Sequence, residues 1–466
     1  MEALTKEVKK WKTVAIASIL VAVIAIIAVA TSLGRSGSAQ PADTTAKAEA
    51  VTETAGSEKA EADAAGSGQA EADAAENTEA VAENTEAAAK AIDANEMLSY
   101  WTEDAEARKQ LVAYMEAITQ EGSPDYIPVE DRIAVFDFDG TLFCETDPNY
   151  FDYTLLLYRV TEDPEYKAVA SEFEKMVAAK IQDQNENGTK YEELPVEHGQ
   201  AVASAFKGMT PEEFYAYIQE FKKLPMPSYE GMTRGGGFYE PMLQVINYLK
   251  ANDFTVYVIS GTDRLICRGL MQNSPLVLPN KQIIGSDESI VAGLQNDVDG
   301  LNYTFTDGDK LVLGGNFIIK NLKMNKVTVI FKEIGQQPVL SFGNTTGDAA
   351  MAEYTTSENP YKSLAFMLCC DDLERENGNE KKANDMYALC EQFDWIPVSM
   401  KNDWTTIYAE GVKYIGKQAA AEEPAAEQVE EAAEETVEEP AAEQAEEQAE
   451  EPAEEQAEEE ALDNAA

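Results

Sequence analysis

The chain runs to 466 residues, the length of two to three average domains, with 86 acidic side chains against 36 basic ones and a formal charge of −50. That excess argues against a nucleic-acid partner, whose phosphates would be repelled. The single histidine, His198, restricts the chemistry further. A histidine nucleophile or a Ser-His-Asp triad would rest on that one position, which sits in "LPVEHGQ", reads as a surface loop and has no GxSxG motif to accompany it.

Residues 1–12 are short and basic, with Lys6, Lys9, Lys10 and Lys12. An uncharged apolar run follows over 13–33, about the 20 residues that a helix needs to span a bilayer. The lysines before it and the acidic stretch after it place the N-terminus in the cytoplasm and the rest of the chain outside. The length of the run favours a retained signal-anchor; "SGSAQ" just beyond it is the alternative, a cleavage site that would release a secreted protein. Residues 34–95 are rich in Ala, Glu, Thr, Ser and Asp, with near-repeats such as "AEADAAGSG" and "AEADAAENT", and read as a solvated, disordered stalk. Residues 418–466 are Glu, Ala, Gln and Pro in the main, carry no basic residue, and read as a disordered tail extended by self-repulsion. The five cysteines, Cys144, Cys267, Cys369, Cys370 and Cys390, show no CxxC spacing, so free buried thiols are expected rather than a zinc site or a disulfide framework.

Between 96 and 417 helical and strand-like segments alternate, which predicts an α/β domain with a mostly parallel sheet. "AEARKQLVAYMEAI" and "YEPMLQVINYLKAN" read as amphipathic helices. "RIAVFDF", "FTVYVIS", "PVLSFG" and "SLAFMLC" are continuous apolar runs that suit strands buried on both faces. In such sheets ligands bind at the carboxyl ends of the strands. Three of these strands end in polar residues: Asp137 and Asp139, then Ser260, then Asn344 and Asp348. Two carboxylates meeting at one strand end call for a cation, and an oxygen-only set suits a hard one such as Mg²⁺.

The ordered motifs resemble those of the haloacid dehalogenase superfamily, and its phosphoserine and phosphorylcholine phosphatases in particular. DxDGT stands at Asp137 to Thr141, a hydrophobic strand ends at Ser260 and Gly261, and a lysine opens a helix in "NKVTVIFKEIG". The last motif is "GNTTGDAAM", with Asn344 where many members have a carboxylate, and Asp348 four residues on. The resemblance implies a Rossmann-like core with a helical cap inserted after the first strand. It implies attack by Asp137 on phosphorus, with Asp139 as general acid and then general base. Ser260, Gly261 and Lys326 would bind the phosphoryl group, and Asp137, the Asp139 carbonyl, Asn344 and Asp348 would hold Mg²⁺. Lys320 and Lys323 are alternatives to Lys326 should the helix register differ. Aspartate two residues after the nucleophile favours rapid turnover of the acyl-phosphate, hence a phosphatase.

A helical insert over about 146–237 reads as the cap, which favours a small phosphorylated metabolite over a protein substrate. Tyr150, Phe151, Tyr153, Phe238 and Tyr239 are candidates for a cage around a quaternary ammonium or, failing that, for cap core. Arg264 and Arg268 share a helix face and would reach either a substrate anion or a nearby acid; Glu145 either touches substrate or stays solvated. A second insert over about 273–322 looks β-rich, with "YTFTDGDKLVL" as a hairpin turning on Asp-Gly. "QNDVDG" lacks acids at the ligand positions of a calcium loop, where Gln295 and Thr306 stand. The expected protein is thus a membrane-anchored, extracytoplasmic, Mg²⁺-dependent phosphomonoesterase. A phosphotransferase or mutase with the same intermediate is one alternative; a non-catalytic binding protein on this scaffold, favoured only by Asn344, is the other.

Overall fold

The computed structural model describes residues 92–416. The expected membrane span at 13–33, the stalk up to residue 91 and the acidic tail at 418–466 lie outside the described residues. Among the described residues no helix is long and apolar enough to cross a membrane.

The strands of the main sheet are β1 (Ile133–Phe136), β2 (Thr255–Asp263), β3 (Ile283–Ala292), β4 (Leu311–Ile319), β5 (Leu340–Gly343), β6 (Leu364–Cys369) and β7 (Ile396–Ser399). They form one sheet in the order β4-β3-β2-β1-β5-β6-β7. Every neighbouring pair is parallel except β3 with β4. Continuous apolar runs make the central strands, because helices cover both faces of a parallel sheet. All four residues of β1 are buried. Register aligns Phe136 with Phe342 and Phe342 with Phe366. Their rings stack across three strands with centroids 4.3 Å and 4.8 Å apart. Each such buried side chain contributes about 1.5–3 kcal/mol of hydrophobic stabilisation. This row holds the ends of β1 and β5, and so their loops, side by side.

The helices are α1 (Glu106–Thr119), α2 (Phe151–Thr161), α3 (Glu172–Asn187), α4 (Leu194–Ala205), α5 (Pro211–Phe221), α6 (Glu240–Ala251), α7 (Arg264–Met271), α8 (Met324–Val329), α9 (Ala349–Thr356) and α10 (Glu380–Phe393). Helices α2 to α5 fill the expected cap insert. Capping boxes start two of them, Ser171 with Glu174 and Thr210 with Glu213, each pair satisfying two otherwise unpaired amides. The helix expected at "NKVTVIFKEIG" begins as α8 but widens to a π-helical turn over Ile330–Ile334, ending at Gly335 with φ +76°.

The hairpin expected across "YTFTDGDKLVL" does not form. β4 begins at Leu311 and pairs with β3, Ala292 opposite Leu311, while residues 303–305 are not in a strand. Gly308, at φ +87°, does turn the chain, but inside the longer β3–β4 loop. Asp309 explains the difference: it accepts from the Tyr303 hydroxyl at 2.6 Å and from the Leu294 amide at 3.1 Å, tying residue 303 into the loop. All five cysteines are free; four are buried and Cys370 is partly so.

Candidate active site

The site assembles where β1, β2 and β5 end together. Past Phe136 the Asp137 amide still bonds to the Phe342 carbonyl at 2.8 Å, and then the chain turns. Amides of Thr141, Leu142 and Phe143 all converge on the Phe138 carbonyl, while the Phe138 ring is fully buried and stacks on Phe143 at 5.4 Å. With Phe138 anchored inward, Asp137 and Asp139 both line the opposite, open side, as alternation along an extended chain requires. Gly140 has φ +80°, and a Cβ there would lie 1.8 Å from Asn344 Nδ2. Only glycine permits both the turn and the approach of the Asn344 amide.

A cleft of about 570 Å³, mouth included, opens over these strand ends. Asp137, Asp139, Gly261, Asn344 and Asp348 all line it. Beneath its floor lies Lys326, fully buried, whose Nζ donates to Asp137 Oδ1 at 2.5 Å and to Asp348 Oδ1 at 2.7 Å. Of the three candidate lysines it is the one that reaches Asp137. Lys320 lines the cleft wall, and the Lys323 amide donates to the Gly347 carbonyl at 2.9 Å. Asp348 Oδ2 accepts from the amides of Asn344 and Thr345, at 3.1 and 3.0 Å, and from the Thr345 hydroxyl. Ser260 is completely buried beneath the cleft, and its Oγ accepts from the Thr262 amide at 3.0 Å.

Electrostatics separates the two aspartates. Burial, then the neighbouring Asp348 charge, pushes Asp137 up to about 7 against the pull of Lys326. For Lys326 burial acts downward, but the two carboxylates outweigh it and hold the ammonium protonated. Asp139 is raised well above the usual carboxylate range by burial and by the charges of Asp152 and Asp137, with a Thr262 hydrogen bond opposing. One ammonium against two carboxylates leaves this floor short of positive charge.

Residues 134–353 match the family model of haloacid dehalogenase-like hydrolases. Those residues form a haloacid dehalogenase-like hydrolase domain. No curated protein sequence matches the chain. Similar solved structures include a conserved protein of unknown function from Anaerococcus prevotii, 16% identical, covering 64% of this chain and 94% of that one at a TM-score of 0.40. Cytosolic 5'-nucleotidase IIIB bound to cytidine is 11% identical and covers 67% and 93%, also at 0.40. A phosphoserine phosphohydrolase-like protein from Francisella tularensis is 13% identical and covers 51% and 87%, at 0.27.

The hydrolase's donor set fits a hard divalent cation. Asn344 Oδ1 is a buried acceptor with no hydrogen-bond partner. An unpaired buried acceptor is costly, and a cation near it removes that cost. Among the described residues no three or more His, Cys, Asp or Glu side chains cluster as a metal site. The set here is instead Asp137 and Asp348, one amide oxygen and main-chain carbonyl oxygen, all hard ligands.

Other expectations from sequence resolve as follows. Arg264 pairs with Asp287 at 2.7 Å and Glu333 at 2.7 Å, and Arg268 donates to the carbonyls of Asn280 and Ile283. Neither lines the cleft. Phe151, Phe238 and Tyr239 are core, whereas Tyr150 and Tyr153 line the cleft. His198 is not on a surface loop. It lies in α4, is 1% exposed, and stacks on Tyr153 with centroids 4.0 Å apart. Burial lowers it to about 4, so the ring is neutral; Nε2–H donates to the Asp152 carbonyl at 3.2 Å.

Three features of the cleft escaped the sequence: the residues Thr262 and Asp152, and the pairing of Glu145, which the sequence had offered as touching substrate or solvated. Thr262 Oγ1 donates to Asp139 Oδ2 at 2.7 Å. Glu145, which lines the cleft, is paired with Lys382 and also accepts from Tyr150 and, at 3.3 Å, from Asn344 Nδ2. Asp152 lines the cleft at 2% exposure, and its carboxylate has one basic group within reach among the described residues, the neutral His198 at 3.8 Å. Only Thr262 carried a legible signal: it follows Ser260 by two, the same spacing that relates Asp139 to Asp137.

Proposed function

We propose that this hydrolase is a Mg²⁺-dependent phosphomonoesterase that works through an aspartyl-phosphate on Asp137. The observation that carries the reading is the buried Lys326 ammonium shared between Asp137 and Asp348, with Asp139, whose Oδ1 is unpaired, lining the same cleft as those two carboxylates. Lys326 orients the Asp137 carboxylate and offsets charge on the phosphoryl oxygens, and backbone amides around Phe138 and Gly261 complete the cradle. An Asp137 oxygen bonds to phosphorus as the ester P–O bond breaks, and Asp139 gives its proton to the departing alkoxide. Water then bonds to phosphorus and yields its proton to Asp139. The acyl-phosphate bond breaks, restoring the Asp137 carboxylate and releasing phosphate. Asp137, the Asp139 carbonyl, Asn344 and Asp348 would hold Mg²⁺, which when bound would supply the positive charge that lets a carboxylate approach a phosphate anion.

The alcohol portion is read by the cap side of the cleft. Among the described residues no lysine or arginine is within ion-pair distance of Asp152, which lines the cleft with Lys320 and with Tyr150 and Tyr153, whose rings lie 5.5 Å apart. A carboxylate and two aromatic faces suit an ammonium group, so phosphocholine, phosphoethanolamine and phosphoserine are the preferred candidates. The apolar run at 13–33 supports a membrane-anchored protein with this domain outside the membrane.

Phosphate release by the purified full-length chain from a panel of phosphomonoesters, with Mg²⁺ and with EDTA, tests the reading. Metal-dependent release with a preference for ammonium-bearing esters is expected. No release from any ester by a folded sample would overturn it.

A further inference from the structure

We infer that Thr262 is the positioning residue for the acid/base Asp139, and that the β-rich insert serves the site by holding Thr262 in place. The inference rests on the phosphatase reading above and adds to it a role for residues that no motif marks. Thr262 is 4% exposed and Asp139 9%, and the Thr262 hydroxyl donates to Asp139 Oδ2 at 2.7 Å. Oδ1 of the same carboxylate is buried and has no partner. A carboxyl held by one oxygen keeps its other oxygen in a fixed direction. Oδ1 is therefore the oxygen that exchanges a proton with the leaving alcohol and then with water, and Thr262 decides where it points.

A hydroxyl can orient a carboxylate only if its own backbone is fixed. The irregular stretch of β2 from Ser260 to Thr262 is gripped from the insert at each residue. Asn321 Nδ2 donates to the Ser260 carbonyl at 3.0 Å, Ser286 Oγ donates to the Gly261 carbonyl at 2.6 Å, and the Asn321 amide donates to Ser286 Oγ at 3.0 Å. Strand β3 presses so close that a Cβ on Gly285 would lie 2.5 Å from the Thr262 carbonyl oxygen. The Thr262 amide is itself used on Ser260 Oγ. Asn321 is fully buried and Ser286 is 4% exposed, so these bonds do not compete with water. A chain of contacts thus runs from β3 and residue 321 through Thr262 to Asp139.

The test compares Thr262→Val, which keeps shape but removes the donor, with Thr262→Ser, which keeps the donor. Both are made in the full-length chain and measured with Mg²⁺ on phosphoethanolamine, a poor leaving group, and on 4-nitrophenyl phosphate, whose phenolate departs without a proton. General acid–base catalysis contributes about 10²–10⁴-fold, and a misdirected acid loses part of it. The Val variant should lose about 10- to 100-fold in kcat on the alkyl ester with KM within about twofold of wild type, and the Ser variant should recover most of that loss. First-turnover release of nitrophenolate should fall far less. Wild-type kcat in the Val variant, a Ser variant as poor as Val, or equal losses on the two esters would overturn the inference while leaving the phosphatase intact. A folded wild-type protein that hydrolyses no ester of the panel, these two included, would remove the phosphatase reading and this inference with it.

Discussion

Among the buried carboxylates of the described residues, two sets have opposite fates. One is the floor of the cleft, Asp137, Asp139 and Asp348 around Lys326. The other is Glu376, 3% exposed, enclosed by Cys144, Tyr229 and Tyr408. Burial raises Asp137 and Glu376 alike, each to about 7. Around Glu376 every acceptor is answered: Oε1 by the Cys144 thiol at 3.7 Å, Oε2 by the Tyr408 hydroxyl, with the Tyr229 hydroxyl 3.3 Å from that of Tyr408. The cleft floor instead leaves Asp139 Oδ1 and Asn344 Oδ1 unanswered and holds two carboxylates to one ammonium. Burial and a displaced proton equilibrium are common to both. What distinguishes the site is unmet demand for donors and positive charge on the side facing the cleft.

Substitutions break the comparison in a predictable order. Asp137→Asn has the largest effect. Phosphate release should fall at least about 10³-fold, as when other enzymes lose a nucleophile. Folding should be unharmed or improved in metal-free buffer, because the amide keeps the Lys326 contact and removes one of two like charges. Urea denaturation beside the activity assay checks both; residual activity near wild type would exclude Asp137 as nucleophile. Lys326→Met comes next. It strands two carboxylates in a buried space and should cost about 3–5 kcal/mol of stability as well as activity. A Lys326→Met variant as stable as wild type in urea would mean that the ammonium does not carry the charge balance argued here.

What was legible in the sequence follows from how local each signal is. DxDGT announces Asp137, Asp139 and the positive-φ Gly140 because one strand and its turn contain all three. The central strands were legible because burial on both faces leaves an unbroken apolar run. Lys326 was legible only to within a helical turn, since Lys320 and Lys323 offer the same chemistry and only packing selects among them. Glu145 was marked by its place just after DxDGT, but its pairing with Lys382 across 237 residues was not, and nothing local marks Lys382. The clamp from Ser286 and Asn321 was hidden for the same reason. His198 was misread although Pro195 in the first turn of α4 marks a helix start; its burial comes with packing against Asp152 and Tyr153 of α2, which no local signal shows.

The sealed carboxylate supplies the smallest and most diagnostic prediction. Glu376 folded titrates near 7, above its ordinary 4.5, because burial disfavours the charged form and the hydrogen bonds from Tyr408 and Tyr229 only partly oppose it. A raised acid binds its proton more tightly in the folded state, so stability is greatest below the unfolded value and is lost as pH rises through the folded one. At about 1.4 kcal/mol per unit, Glu376 should remove about 2–3 kcal/mol of stability between pH 4.5 and 7.5. Glu376→Gln has no proton to lose, and it should flatten that part of the pH–stability curve while leaving phosphate release within about twofold, since Glu376 does not line the cleft. Urea midpoints for wild type and variant at both pH values isolate the contribution by difference. If the two curves run parallel, the carboxyl is not carrying a buried charge at neutral pH. If activity falls with the flattening, Glu376 is coupled to Glu145 through the adjacent Cys144, and the sealed group would then belong to the site after all.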